Sequence, residues 1–201
     1  MSTMAEPATS ERLGDEPVTP HVASAERVYT GRVWNVQRDV VRYAGDELVR
    51  EYVAHPGAAA VVALDAEGRI IVIQQYRHPI RHRDWEIPAG LLDVEGEPPL
   101  QTAKRELAEE VDLVAERWEP LVSIFTTPGG NDEVVHLFLA RGLSAAPEVH
   151  ARGEEEADIR VEWIALADVV DAVIAGRFRN GILATGALAA AEVLRRERAA
   201  G

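Results

Sequence analysis

Apolar and polar positions alternate with clear punctuation along most of the chain. Val33 to Tyr43 and Glu47 to Val53 read as two strands around a turn at Ala44-Gly45-Asp46. Ala58 to Leu64 and Ile70 to Tyr76 are continuous apolar runs, and Asp65-Ala66-Glu67-Gly68 between them has tight-turn chemistry. Runs so apolar and so closely joined predict central strands covered on both faces. A polar loop from Arg77 to Asp84 is expected next. Pro98 and Pro99 then mark the start of a helix that extends to about Val111, where missing amide donors cost little. Further strands are predicted at Leu121 to Thr126, Val134 to Ala140 and Ile159 to Ile164, and helices at Leu166 to Ala175 and Gly181 to about Arg198. Hairpins mixed with a few helices indicate an α+β fold or an α/β sandwich, and not a doubly wound nucleotide fold.

Within the first predicted helix, Leu100, Ala103, Leu107 and Val111 recur at helical spacing and form its buried stripe. Glu106 and Glu110 fall together on one flank of that stripe, while Glu109 points further outward. Like charges three or four residues apart on a helix cost roughly 0.2–0.5 kcal/mol per pair. Such a cluster calls for a positive partner, and a divalent cation with hard oxygen ligands answers that need. A solvated helix face is the bland alternative for the same residues.

Composition changes the picture in only a few places. The 201 residues suffice for one sizeable domain. A formal charge of −13 argues against non-specific binding to nucleic acid or to an anionic membrane. Cysteine is absent, which removes disulfides, thiol nucleophiles and cysteine-bound zinc. No apolar run is long enough for a transmembrane helix. Residues 1–25 contain Glu6, Glu11, Asp15, Glu16 and three prolines, which predicts a disordered tail and no signal peptide. Cytoplasmic location is the expectation. Strands at 26–56 would then precede a main domain at 57–198.

Spacing extends the acidic signal. Gly90 precedes Glu97, then come Arg105-Glu106, Glu109-Glu110 and Leu113. This series resembles the signature of the Nudix hydrolases, a glycine and a glutamate followed by Arg-Glu, an aliphatic residue, any residue, and Glu-Glu. Two positions depart from it: six residues separate Gly90 from Glu97 where five are common, and Asp112 stands where glycine is usual. The extra residue falls in a loop that tolerates insertion, and aspartate tolerates a left-handed helix end better than most residues. Gln75-Tyr76-Arg77-His78, Trp85 to Asp93, Pro128, Gly129, Asp132 and Glu133 resemble the ADP-ribose pyrophosphatase branch of that family.

The resemblance implies an α/β/α sandwich with a mixed sheet, preceded by N-terminal antiparallel strands that pair two chains as a homodimer. It implies hydrolysis of the diphosphate of ADP-ribose to AMP and ribose 5-phosphate with Mg2+ or Mn2+. Another nucleoside diphosphate sugar or dinucleotide, or sensing of ADP-ribose without cleavage, are the rival readings. Glu106, Glu110 and Glu109 are implied as metal ligands, with the Ala89 carbonyl and Glu156 completing the set. Arg105 is implied to orient these charges, and Glu156, with Glu155 second, to serve as general base. Arg77, Trp85, Glu86, Pro128 and Asp132 are the implied substrate contacts. Trp85 suits a core equally well, Arg77 equally suits a surface pair with an acid such as Asp84, and Pro128 equally suits stiffening its loop.

Overall fold

A computed structural model describes residues 13–148 and 159–201. Two compact units divide the chain, Met1–Tyr52 and Val53–Gly201. Strands β1 (His21–Thr30), β2 (Asn35–Tyr43) and β3 (Asp46–Ala54) form a three-stranded sheet in that order. Ala44 and Gly45 both take positive φ, 53° and 92°, as a two-residue hairpin turn of the primed type requires. Arg38 lies opposite Glu26 in register and bonds Glu51 through Nε at 2.8 Å, a charge row across the strands. Strand β1 starts at His21, ahead of the expected onset of order near Ala25. Every one of its residues is exposed, so no buried face marks it in the sequence.

The second unit is a mixed sheet between helices. Its strands are β4 (Ala58–Leu64), β5 (Arg69–Arg77), β6 (His82–Glu86), β7 (Ala89–Leu91), β8 (Leu113–Phe125), β9 (Val134–Ala145) and β10 (Arg160–Ala165). The main order is β10-β5-β4-β9-β8, with β6 paired to β5 and β7 to β4. Strands β4 and β9 pair in parallel, whereas β10 with β5, β5 with β4, β4 with β7, β5 with β6 and β8 with β9 are antiparallel. The helices are α1 (Pro99–Val111), α2 (Leu166–Ile174) and α3 (Gly181–Ala200). No helix among the described residues is long and apolar enough to cross a membrane.

Strand β4 is buried at all its positions, and its alternation divides the core in two. Ala58, Ala60, Val62 and Leu64 face Leu166 and Val169 of α2 and Leu183, Ala187 and Ala190 of α3. Ala59, Val61 and Ala63 face Ala103, Leu107 and Val111 of α1. Helices therefore cover both faces, as the unbroken apolar run predicts. Gly186 lets α3 settle on this layer, since a Cβ there would stand 2.9 Å from Val62 Cγ2 and 3.1 Å from Ile87 Cδ1.

Two segments differ from expectation. The predicted loop 77–84 narrows to a turn at 78–81, because β5 runs through Arg77 and β6 pairs along it from Ile73↔Glu86 to Arg77↔His82. Its sequence, His-Arg-Asp-Trp-Glu, has too few apolar residues to signal a strand. Strand β8 begins at Leu113, eight residues before the predicted start at Leu121. Its first half is half-exposed and charged, and Pro120 sits at an irregularity in the register with β9.

Candidate active site

The carboxylates of α1 meet the short strand β7. Strand β7 lies on β4 through the pairs Ala59↔Gly90 and Ala60↔Ala89, which fixes its backbone directly beside the helix. A Cβ added to Gly90 would overlap the carboxyl group of Glu106. Glycine is thus the residue that lets the helix and strand approach so closely. One position earlier, the Ala89 N–H donates to Glu110 Oε2 at 2.9 Å. Glu106 and Glu110 are buried at 9% and 4% exposure, and the Glu109 side chain is far more open at 38%. That ranking follows the angular order read from the helix.

Arg105 binds the other side of the cluster. Its Nη1 donates to Glu106 Oε1 at 2.5 Å and to Glu109 Oε2 at 3.1 Å, and Nη2 reaches Glu97 Oε2 at 3.3 Å. Thr102 Oγ1 adds a 2.8 Å bond to the same Glu97 oxygen. Burial works to lower the Arg105 pKa, but the Glu97 bond and the charges of Glu106 and Glu109 reverse this and hold the guanidinium above its ordinary range. The Thr102 and Arg105 bonds hold Glu97 below the usual carboxylate range. Arg105 is thus shared by Glu97, Glu106 and Glu109, and Glu110 follows one turn after Glu106 on the same helix.

The donor chemistry of this cluster fits a hard divalent cation, because every donor is a carboxylate oxygen and the excess charge is negative. Among the described residues no three acidic or histidine side chains already converge on one point. The carboxylates are instead turned toward Arg105 and the Ala89 amide.

The remaining predicted residues fall into three places. Glu86 and Gln75 are buried on the α1 side of the sheet; Arg77 forms a two-bond fork with Glu86, both at 2.7 Å, and Gln75 Nε2 donates to Glu86 Oε2 at 3.2 Å. Arg77 therefore pairs with Glu86, while Asp84 accepts from Asn180 Nδ2 at 3.0 Å. Trp85, the next residue along β6, alternates to the opposite face and packs on Phe178 with ring centroids 5.8 Å apart. The structure does not bring it to the Glu86 side. Pro128 and Asp132 are exposed on the loop 126–133 between β8 and β9. Asp132 Oδ1 accepts from the His55 N–H at 2.7 Å. Glu155 and Glu156 lie outside the described residues. Sequence reasoning missed His55, Thr102 and Gln75. Thr102 carries one legible sign, a hydroxyl one turn ahead of the acidic cluster on the same helix.

The NUDIX domain model matches residues 54–182, which takes in the acidic helix, β7 and the Arg77–Glu86 pair. The chain belongs to the Nudix family. Like its relatives in that family it is a hydrolase of pyrophosphate bonds. An ADP-ribose pyrophosphatase of Mycobacterium tuberculosis is 47% identical over 169 residues, spanning 83% of this chain and 80% of its own length. A methanol dehydrogenase activator of Bacillus methanolicus is 43% identical over 132 residues, 65% of this chain and 71% of its own. The crystal structure of an ADP compounds hydrolase matches with a TM-score of 0.75 over 92% of this chain and 98% of that one; at 20% identity it speaks to the fold.

The two departures from the Nudix signature are absorbed locally. Asp112 caps α1 in the left-handed region at φ 56° and ψ 36°, and its N–H returns to the carbonyls of Leu107 and Ala108. The longer spacer before Glu97 passes through Gly96 at φ 78°, in a loop exposed enough to hold the extra residue. Gly90 is the less forgiving position of this Nudix site. Gly90→Ala is expected to push the Glu106 carboxyl from β7 and to destabilise the fold by about 1–3 kcal/mol through overpacking. Urea denaturation measures the cost, and stability equal to the parent would show that Glu106 yields freely.

Proposed function

We propose that the chain hydrolyses ADP-ribose to AMP and ribose 5-phosphate, using Mg2+ or Mn2+. The observation that carries this is the buried pair Glu106 and Glu110 seated on Gly90 and Ala89 within the matched domain. The 47% identity to an ADP-ribose pyrophosphatase over most of both chains supports the substrate. Glu106, Glu110 and Glu109, with the Ala89 carbonyl and Glu156, would hold the cation. Its chemistry there is to neutralise the diphosphate and to acidify water.

The chain's own residues do the rest. Arg105 holds Glu106 and Glu109 in place and offsets part of their repulsion. Glu156, or Glu155 beside it, takes the proton from the attacking water. Arg77 and Glu86, already locked together, offer the guanidinium edge to a phosphate and a carboxylate oxygen to a ribose hydroxyl. Pro128 and Asp132 close on the substrate from the loop 126–133. Trp85 meets ligand only from the cavity it lines with Ile80, Arg83, Arg177 and Arg179.

A homodimer built through the N-terminal sheet and working in the cytoplasm completes the proposal. Val22, Val28, Tyr29, Trp34, Tyr43 and Val49 of the first unit are large apolar side chains left exposed, a surface that a second copy would cover. The alternative substrate is another nucleoside diphosphate sugar or dinucleotide.

A panel of nucleoside diphosphates incubated with each metal decides between these readings. ADP-ribose is expected to give AMP fastest, and absence of AMP alongside cleavage of another diphosphate would move the assignment. Glu110→Gln should lower turnover by about a thousandfold or more, roughly 4 kcal/mol of transition-state stabilisation. It should keep the fold, since the amide oxygen still accepts the Ala89 N–H. Near-parental turnover would remove Glu110 from the metal set. Glu156→Gln should slow the chemical step by far more than it weakens metal binding, since Glu106, Glu110 and Glu109 remain, as read by single-turnover kinetics and Mn2+ titration. Full activity would shift the base elsewhere. Light scattering at micromolar concentration should give twice the 22.0 kDa chain mass, and a monomer would refute the dimer.

A further inference from the structure

The loop 126–133 carries Pro128 and Asp132, both exposed, and its backbone turns through the Thr127 carbonyl, which accepts from the Gly130 and Asn131 N–H groups. Its anchor is a histidine from the link before β4. The His55 side chain is nearly buried, at 8% exposure. Its Nδ1 accepts the Gly57 N–H at 3.0 Å. A ring nitrogen that accepts from a backbone amide carries no proton, so the neutral ring bears its proton on Nε2. That nitrogen stands 3.2 Å from Glu133 Oε1. The second Glu133 oxygen accepts from Thr126 Oγ1 at 2.5 Å, and the Glu133 N–H donates to Asn131 Oδ1 at 3.2 Å. The His55 backbone N–H donates to Asp132 Oδ1, and the Val53 N–H donates to the Gly130 carbonyl at 2.9 Å.

Two of these contacts meet on the His55 ring, and the others tie the loop to Glu133 and to the Val53 and His55 backbone. Gly57 determines which nitrogen carries the proton, the proton determines that Glu133 is met by a donor, and Glu133 ties together both ends of the loop through Thr126 and Asn131. In the other tautomer the ring would present an N–H to the Gly57 N–H and a lone pair to a carboxylate. Both contacts would then be repulsive.

We propose that His55 is a positioning residue for substrate: as the Nε2–H tautomer it holds Glu133, and through Glu133 it sets the placement of Pro128 and Asp132. His55 itself touches no reacting atom. The substrate part of this inference rests on the ADP-ribose assignment above, while the loop anchor stands on geometry alone.

Three variants test it. His55→Ala removes the ring. His55→Gln places an amide nitrogen near the former Nε2, and His55→Asn places an acceptor oxygen near the former Nδ1. His55→Ala should raise KM for ADP-ribose about tenfold, the size expected for losing a hydrogen bond to a charged group. Its kcat should stay within about twofold, since no transition-state contact is removed. His55→Gln should recover most of the KM, and His55→Asn should not. Hydrogen exchange at the Glu133 amide should speed up in His55→Ala and return toward parental in His55→Gln. An unchanged KM in His55→Ala, or equal loss in the Gln and Asn variants, would overturn the role in substrate placement. Unchanged exchange at Glu133 would overturn the anchor itself. Should the parent protein fail to cleave ADP-ribose, the substrate assignment falls, and the exchange comparison alone decides for or against the anchor.

Discussion

The site depends on one close approach, that of the β7 backbone at Gly90 to the Glu106 carboxyl on α1. Any side chain at residue 90 would occupy the space that the carboxyl fills. Without that approach Glu106 would swing into solvent, and the Ala89 amide would lose its register with Glu110. The approach is itself set by pairing on β4, where Ala59 and Ala60 oppose Gly90 and Ala89. Small residues on both strands bring α1 down onto the sheet at this end. Burial of two carboxylates is a consequence of that backbone geometry.

Burial makes the charge of the cluster matter. Two unit charges 4 Å apart at an effective dielectric near 20 repel by about 4 kcal/mol, against about 1 kcal/mol in water. Arg105 relieves part of this by reaching three of the four glutamates, and the Ala89 N–H relieves a little more at Glu110. The balance remains negative. A centre of this kind gains from any additional cation. The protein as a whole carries −13, so under the proposed function attraction of a diphosphate is local, through Arg77 and bound cations, and not through a general field.

Much of this was legible in the sequence because it lay in spacing. Glu106 and Glu110 separated from Glu109 by helical angle alone, and the burial of β4 on both faces followed from an unbroken apolar run. What was illegible lay in pairing. Strand β6 consists of polar residues that show themselves as strand only against β5, and β1 offers no buried face at all. Trp85 and Glu86 are neighbours in sequence and stand together among the contacts the resemblance implies, yet the alternation of β6 sends them to opposite faces. His55 and Glu133 are seventy-eight positions apart, and no local pattern links them. Asp112 could be judged in advance, because the tolerance of aspartate for left-handed backbone is a property of the residue itself.

Gly186 gives the architecture a further meaning. It lies on α3, on the face of the sheet away from the acidic helix, and the side chains it accommodates are Val62, Leu137 and Ile87. Ile87 is fully buried and stands two residues before Ala89. The helix on the far face is thus the backstop for the strand that presents the Ala89 and Gly90 backbone. The β7 backbone is supported from the rear of the sheet, through an apolar contact that lies on the opposite side from the acidic cluster.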